Sequence, residues 1–377
     1  MTQPRALFAL LAASIAAPHA AADVGLVVLP RPSGFVGATA YDISADGTTV
    51  VGSISRGTAP IPDTHHAVRW VLGQEPQDLG FIPNAMNTRA LSVSSDGRVL
   101  IGRAENGINP IYFRWEAAGP LVPLPVPAQT NFIAASAVSP DGSFTVGTRS
   151  SPTGTNAVRW DGFAAPQPLS SPPGAIATGA TCIAPTGEII GTALIGSATC
   201  LTRWTGDTPE VLDPVPNHLA FATFAASAGG QTLVGAITPT GSGSFYDQPF
   251  RWTADEGFEM LSRPAGTVGA AVYDISLDGA IAVGTSFTDS INDPWIATAW
   301  VGDEVMTLSN YLSSAGIDVT GWHFMEARGI SPDGTVIVGS AITPAGVREA
   351  FIATVPSPGG AAALVIGAGL GLRRRRR

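Results

Sequence analysis

The chain has 377 residues, of which 13% are charged and 45% hydrophobic, and it holds 44 Gly and 31 Pro. So few charges and so many turn-formers argue against long helices and for many short strands joined by tight turns, with ample sequence to bury a core. All 20 basic residues are Arg; without Arg5 and Arg373 to Arg377, 14 remain against 29 acidic residues, or −15 on the body, which makes nucleic acid and anionic lipid poor partners.

Residues 1–22 have the form of a secretory signal. Arg5 supplies a basic start, Ala6 to Ala17 an apolar run too short to span a bilayer permanently, and Ala20 to Ala22 small residues for cleavage before Asp23. The alternative is a buried N-terminal helix. Val24-Gly-Leu-Val-Val-Leu-Pro30 then reads as a strand.

From Tyr41 onward one pattern recurs seven times: a small-to-apolar strand, a turn ending in Gly, an apolar strand ending in Gly, and a strand ending in an aromatic. Unit 1 runs Tyr41-Asp-Ile-Ser-Ala-Asp-Gly47 to Gly52, then His66-Ala-Val-Arg-Trp70. Unit 2 keeps Ser94-Ser-Asp-Gly97, Gly102 and Phe113-Arg-Trp115; unit 3 keeps Ser139-Pro-Asp-Gly142, Gly147 and Val158-Arg-Trp160. Unit 4 has Cys182 to Gly191 and Arg203-Trp204. Unit 5 degenerates at Ala228-Gly-Gly230 but retains Gly235 and Arg251-Trp252. Unit 6 has Tyr273 to Gly279, Gly284 and Trp300; unit 7 has Gly329 to Gly334, Gly339 and Phe351. The glycines ending the second strands, 52, 102, 147, 191, 235, 284 and 339, fall 44 to 55 residues apart, the spacing of four short strands per propeller blade.

Asp-Gly between apolar runs is a hairpin signal, and Gly at a strand end points to a bulge or a close backbone approach. In Arg-Trp, Trp is expected to fill the space between adjacent sheets while Arg points outward or pairs with a carboxylate. A fourth strand follows six of the seven aromatics, at 77–83, 120–125, 166–169, 210–214, 258–261 and 304–308; the seventh is supplied by residues 24–30. The expected fold is therefore all-β: a seven-bladed β-propeller of four-stranded antiparallel blades over residues 23–356, closed by the N-terminal strand so that no sheet edge is bare.

The chain ends in Val355-Pro-Ser-Pro-Gly-Gly360, twelve apolar or Gly residues (Ala361 to Leu372), and five arginines, Arg373, Arg374, Arg375, Arg376 and Arg377. A polar break, an apolar stretch and a basic end would anchor residues 357–377 transiently in the inner membrane with the arginines in the cytoplasm. The alternative is a solvated disordered tail. This arrangement resembles the PEP-CTERM sorting tails of bacteria, which implies processing by an exosortase at the envelope, with Val355, Pro356, Ser357 and Pro358 as the sorting motif. Pro356-Ser-Pro358 stands where those tails carry Pro-Glu-Pro. The units themselves resemble HAF-type extracellular repeats, through His66-Ala-Val, Asn156-Ala-Val and Glu349-Ala-Phe, and through residues 308–334, which look like that family's last connection with a short helix. The resemblance covers roughly residues 24–356 and implies an exported propeller-like protein with no reaction to carry over.

Candidate chemistry is sparse. Asp46, Asp96, Asp141, Asp278 and Asp333 sit in hairpins and are read as turn chemistry rather than metal ligands. His65, His66, His218 and His323 lie in no metalloenzyme motif. Cys182 and Cys200 both fall in unit 4, where a disulfide would close a loop of about 18 residues worth roughly 3 kcal/mol, the alternative being two buried thiols. No nucleophile elbow, phosphate loop or paired-carboxylate spacing is found, so no catalytic residue, metal or cofactor is assigned. The insertions 57–64, 241–248 and 286–294, the last with Asp289, are the candidate binding rim. The expected role is an exported cell-surface or matrix protein that binds polysaccharide or another envelope component, favoured by a funnel lined with Gly, Ala and Ser. A hydrolase or lyase acting on glycan or lactone in a polar funnel is the alternative.

Overall fold

The computed structural model describes residues 24–57, 64–107, 109–117, 119–240, 248–289 and 295–356. The signal-like segment, Ser357, Pro358, the five terminal arginines and most of the three insertions lie outside the described residues. Among those described, no helix is long and apolar enough to cross a membrane.

Each unit is built by short-range hydrogen bonding. In unit 1 the Asp46 carboxylate accepts from Ser44 Oγ (2.5 Å) and from the Thr48 amide (2.9 Å), while Ser44 Oγ accepts from the Thr49 amide (2.9 Å). The same three bonds recur around Asp96, Asp141, Asp278 and Asp333. The glycine after each aspartate takes φ between 69° and 74°, which a side chain would resist. These aspartates are turn formers, as their spacing implies.

The turn launches a meander, in unit 1 Gly37–Ile43, Thr49–Arg56, Thr64–Val71 and Gln77–Gly80, all antiparallel. Units 1, 2, 5, 6 and 7 are separate four-stranded sheets. Units 3 and 4 are not. They form one eight-stranded sheet through a single parallel bridge, Thr155 to Ala177. The expectation of seven separate blades is corrected accordingly: five stand alone. Near the junction Gly179 has no side chain, and a methyl there would lie 2.9 Å from Thr148 Oγ1.

Gly25–Val28 pairs antiparallel with Arg348–Thr354, completing the sheet of unit 7. The Leu29 amide donates to the Ala350 carbonyl (2.9 Å), and Arg31 Nε donates to Glu349 (2.7 Å), locking the first described residues onto the last strand. The first strand of unit 7 touches those of units 6 and 1, so the ring is closed. Leu308–Ser314 forms the one α-helix among the described residues, capped by Thr307, in the connection where a short helix is expected.

The core lies between sheets. Trp70 packs with Leu29, Ala350 and Ile352 of unit 7; Trp160 with Ile101 and Leu124 of unit 2; Trp252 with Ile190 and Leu201 of unit 4. Phe351 of unit 7 likewise meets Ile281 and Val283 of unit 6. The indole N–H of Trp70 reaches the Pro30 carbonyl (2.7 Å) and that of Trp204 the Ser170 carbonyl (2.8 Å), so each ring has a partner for its polar edge. Four of the arginines beside tryptophans, Arg114, Arg159, Arg203 and Arg251, pair with carboxylates, as Arg159 does with Asp161 (2.7 Å) and Arg203 with Glu210 (2.6 Å). Such an arginine can also cross to the next unit, as Arg69 does to the Gly97 carbonyl (2.9 Å).

Candidate functional site: the axial channel

All seven first strands carry a β-bulge at the same point. The register slips by one residue between Ala40 and Asp42, Ala90 and Ser92, Ala135 and Ala137, Ala180 and Cys182, Thr223 and Ala225, Val272 and Asp274, and Ala327 and Gly329. The residue skipped leaves the ladder and turns towards the axis. Those seven residues are Tyr41, Leu91, Ser136, Thr181, Phe224, Tyr273 and Arg328, and all line one axial cavity of about 230 Å³. The second-strand glycines are what the bulge requires. A methyl on any of the seven would lie 1.8 to 2.2 Å from a first-strand carbonyl oxygen.

This lining overturns the expected Gly, Ala and Ser funnel. The small residues of the first strands, such as Ala40, Ala90 and Ala180, pack between sheets instead, because strand residues alternate and the bulge resets which ones face the axis. What faces the axis is mixed: Leu91 and Phe224 are apolar, whereas Tyr41, Ser136, Thr181, Tyr273 and Arg328 carry polar groups. Asp42 and Asp274, on either side of unit 7, each follow a bulge. Asp42 accepts from the Ile43 amide (2.7 Å) and from the Val93 amide of unit 2 (2.8 Å). Asp274 does the same with Ile275 (2.8 Å) and Ile330 of unit 7 (2.7 Å). Burial pushes the Asp42 carboxyl up to about 6, against those amide bonds. Burial together with the charge of Asp42 pushes Asp274 up to about 8. The pair therefore carries at least one proton near neutrality.

Arg328 is the channel's cation. Its guanidinium lies over Tyr273 (3.9 Å to the ring centre), faces Tyr41 (5.8 Å), and donates to the buried Glu326 (3.0 Å). Burial alone would lower it; Tyr273 and Glu326 more than offset this and hold it firmly charged. Cys182 completes the wall, with burial pushing its thiol up to about 12, so it is not a thiolate near neutrality.

Cys182 and Cys200 are free, buried thiols, so the expected disulfide is corrected. Cys182 pairs with Ile190 and Cys200 with Ala193, on opposite sides of the same middle strand. Two strand spacings of about 4.8 Å put the backbones near 10 Å apart, beyond disulfide reach.

The histidines are scattered. His66 is buried, bonded to Asp78 (2.9 Å) and edge-on to Phe35 and Phe81; His218 and His323 bond the carbonyls of Pro216 and Trp295 (each 2.9 Å). Among the described residues, no three of His, Cys, Asp and Glu gather as metal ligands would. The strands flanking the three insertions, Arg56 with Thr64, Ile237 with Gln248 and Ser286 with Ile296, all open at the same end as the connections between units. Sequence reasoning missed the channel residues. Their signal was present in Tyr-Asp-Ile-Ser of units 1 and 6, at the residues three and two before the turn serine.

No family model matches the chain, and no curated protein sequence does. Solved structures do match. An oligogalacturonate lyase from Vibrio parahaemolyticus superposes with a TM-score of 0.56 at 11% identity, over 88% of this chain and 93% of that one. The β-propeller domain of the Trilobed protease from Pyrococcus furiosus gives 0.53 at 11%, over 85% and 95%. TolB from Acinetobacter baumannii gives 0.46 at 14%, over 82% of this chain and 64% of that one, so this chain spans less than two thirds of that TolB. Likeness at such identity is one of architecture: this chain is an all-β propeller.

Proposed function

We propose that the chain is an exported cell-surface or extracellular-matrix propeller that acts by binding, with a polysaccharide or another envelope component as ligand. In this reading the eight-stranded sheet serves as two blades, giving a seven-fold ring, which the repeated aromatic contacts between successive units support. Residues 1–22 direct export, and residues 357–377 hold the protein transiently at the inner membrane until a sortase-like protease acts. The observation that carries the binding role is the state of the channel. Each Asp42 and Asp274 carboxyl is clamped by two backbone amides, and Arg328 is held by Glu326 and Tyr273. Groups so engaged tie blades together. Recognition falls to the rim, where rigid scaffolds place their loops.

A second reading has one observation in its favour: two carboxyls pushed to about 6 and about 8 in a cavity are a common mark of general acid–base chemistry. It would make the chain a hydrolase or lyase acting in the channel, and the lyase and protease neighbours share the fold with that reading. A glycan array run alongside a turnover assay separates the two. Retention of a glycan without product supports binding. Turnover that Asp274→Asn abolishes replaces it with catalysis.

A further inference from the structure

The rim carries a cationic cleft between units 2 and 3 that nothing above uses. Arg89 and Arg103 are direct cross-strand partners, a like-charged pairing that destabilises a sheet unless something bridges it. The acid at hand is Glu105, 3.7 Å from Arg89 Nη1 and 3.5 Å from Arg103 Nη2, longer than good hydrogen bonds. Arg89 Nε is buried without a hydrogen-bond partner, and Arg103 is 44% exposed.

A third guanidinium faces them. Arg103 shares its sheet face with its partner Tyr112, and Arg149 shares its face with its partner Ile133. Tyr112 and Ile133 pack against the same core between units 2 and 3, so both arginines face that gap. Arg149 is drawn to the rim by bonds to Thr130 Oγ1 (2.9 Å) and the Ala128 carbonyl (3.1 Å). Two guanidiniums thus share one carboxylate, with Arg149 on the facing unit, on a chain whose body is strongly acidic and whose turn aspartates stand at the opposite end of the strands. Tyr112, the cross-strand partner of Arg103, stands beside the pair on the same face. Planar forks beside an aromatic ring match a sugar ring bearing a carboxylate.

We propose that this cleft binds the carboxylates of an acidic polysaccharide, so that the ligand class of the proposed function is a polyuronate. The inference rests on that function being polysaccharide binding. Titration calorimetry of the purified protein with alginate, against neutral dextran, tests it. The protein binds alginate in a salt-sensitive manner and dextran weakly. The Arg89→Gln/Arg103→Gln variant binds alginate at least roughly tenfold more weakly, since each charged hydrogen bond is worth about a factor of ten or more. Its melting temperature does not fall, because repulsion between the pair is removed. Undiminished alginate binding by that variant overturns the proposal. Equal affinity for dextran overturns it too while leaving polysaccharide binding in place; binding to neither polymer removes both.

Discussion

If the second-strand glycines exist to admit the bulge, Gly147→Ala strikes the fold at its most demanding point. A Cβ on Gly147 would lie 1.8 Å from the Ala134 oxygen, 2.8 Å from its carbonyl carbon and 3.0 Å from the Ala135 Cα. All three are backbone, so no rotamer change relieves the clash. Overpacking of this kind costs about 1–3 kcal/mol, and spreading the ladder here weakens one or two hydrogen bonds at about 1 kcal/mol each. The sum is about 2–5 kcal/mol. With an unfolding entropy near 2 cal/mol/K per residue, a domain of this size would lose roughly 3–7 °C of melting temperature. Gly179→Ala is the control: its nearest neighbour is the rotatable Thr148 side chain at 2.9 Å, and the expected loss is below about 1 kcal/mol. Urea and thermal unfolding followed by tryptophan fluorescence measure both. If Gly147→Ala matches the control, steric exclusion is not why these glycines recur.

Asp274 binds a proton in the folded state up to about pH 8 that it loses near 3.8 when unfolded, so the folded form holds more protons between those values. Stability should therefore fall as pH rises through that window and level off above it; Asp274→Asn should flatten the slope, read from urea midpoints, and an unchanged slope would remove the carboxyl from the account. Deleting the residues up to Pro30 strips the outer strand from unit 7 and bares the edge of Arg348–Thr354; self-association and an earlier melt are expected by light scattering and calorimetry, and an unaltered monomer would mean the ring does not depend on that strand. Thiol titration should find no reactive cysteine in the folded protein and two after denaturation without reductant; none after denaturation would mean Cys182 and Cys200 are bonded.

Much of this fold is written in local chemistry, which is why the sequence discloses it. Ser-x-Asp-Gly closes a turn with its own side chains, Arg-Trp marks a third strand, and Val24 to Pro30 matches the missing fourth strand because it has the same apolar-then-proline character. The misses share a different cause, since each depends on how neighbouring strands sit. The glycine spacing in units 3 and 4 is regular, yet those meanders share a bridge, Thr155 to Ala177, that no local motif marks. The two cysteines lie close in sequence, yet a strand separates them. The funnel is expected to be Gly, Ala and Ser because the first strands are rich in them, but a bulge in each turns one residue to the axis and brings in Tyr41, Tyr273 and Arg328.

That shift also separates what the fold demands from what a ligand can use. The bulge is held by backbone geometry and by the glycine opposite it, so the skipped residue turns to the axis whatever its side chain. Leu91, Ser136, Thr181 and Phe224 occupy the position as readily as Arg328 does. The residue that follows has a structural duty when it is an acid, since Asp42 and Asp274 bind the next unit's amide. Neutralising Arg328 should therefore leave the bulge in place, whereas substituting Asp274 should loosen unit 7 against unit 6. The arginines of the cleft between units 2 and 3 carry no comparable duty: Arg89 and Arg103 oppose one another, and the sheet would be better off without one of them.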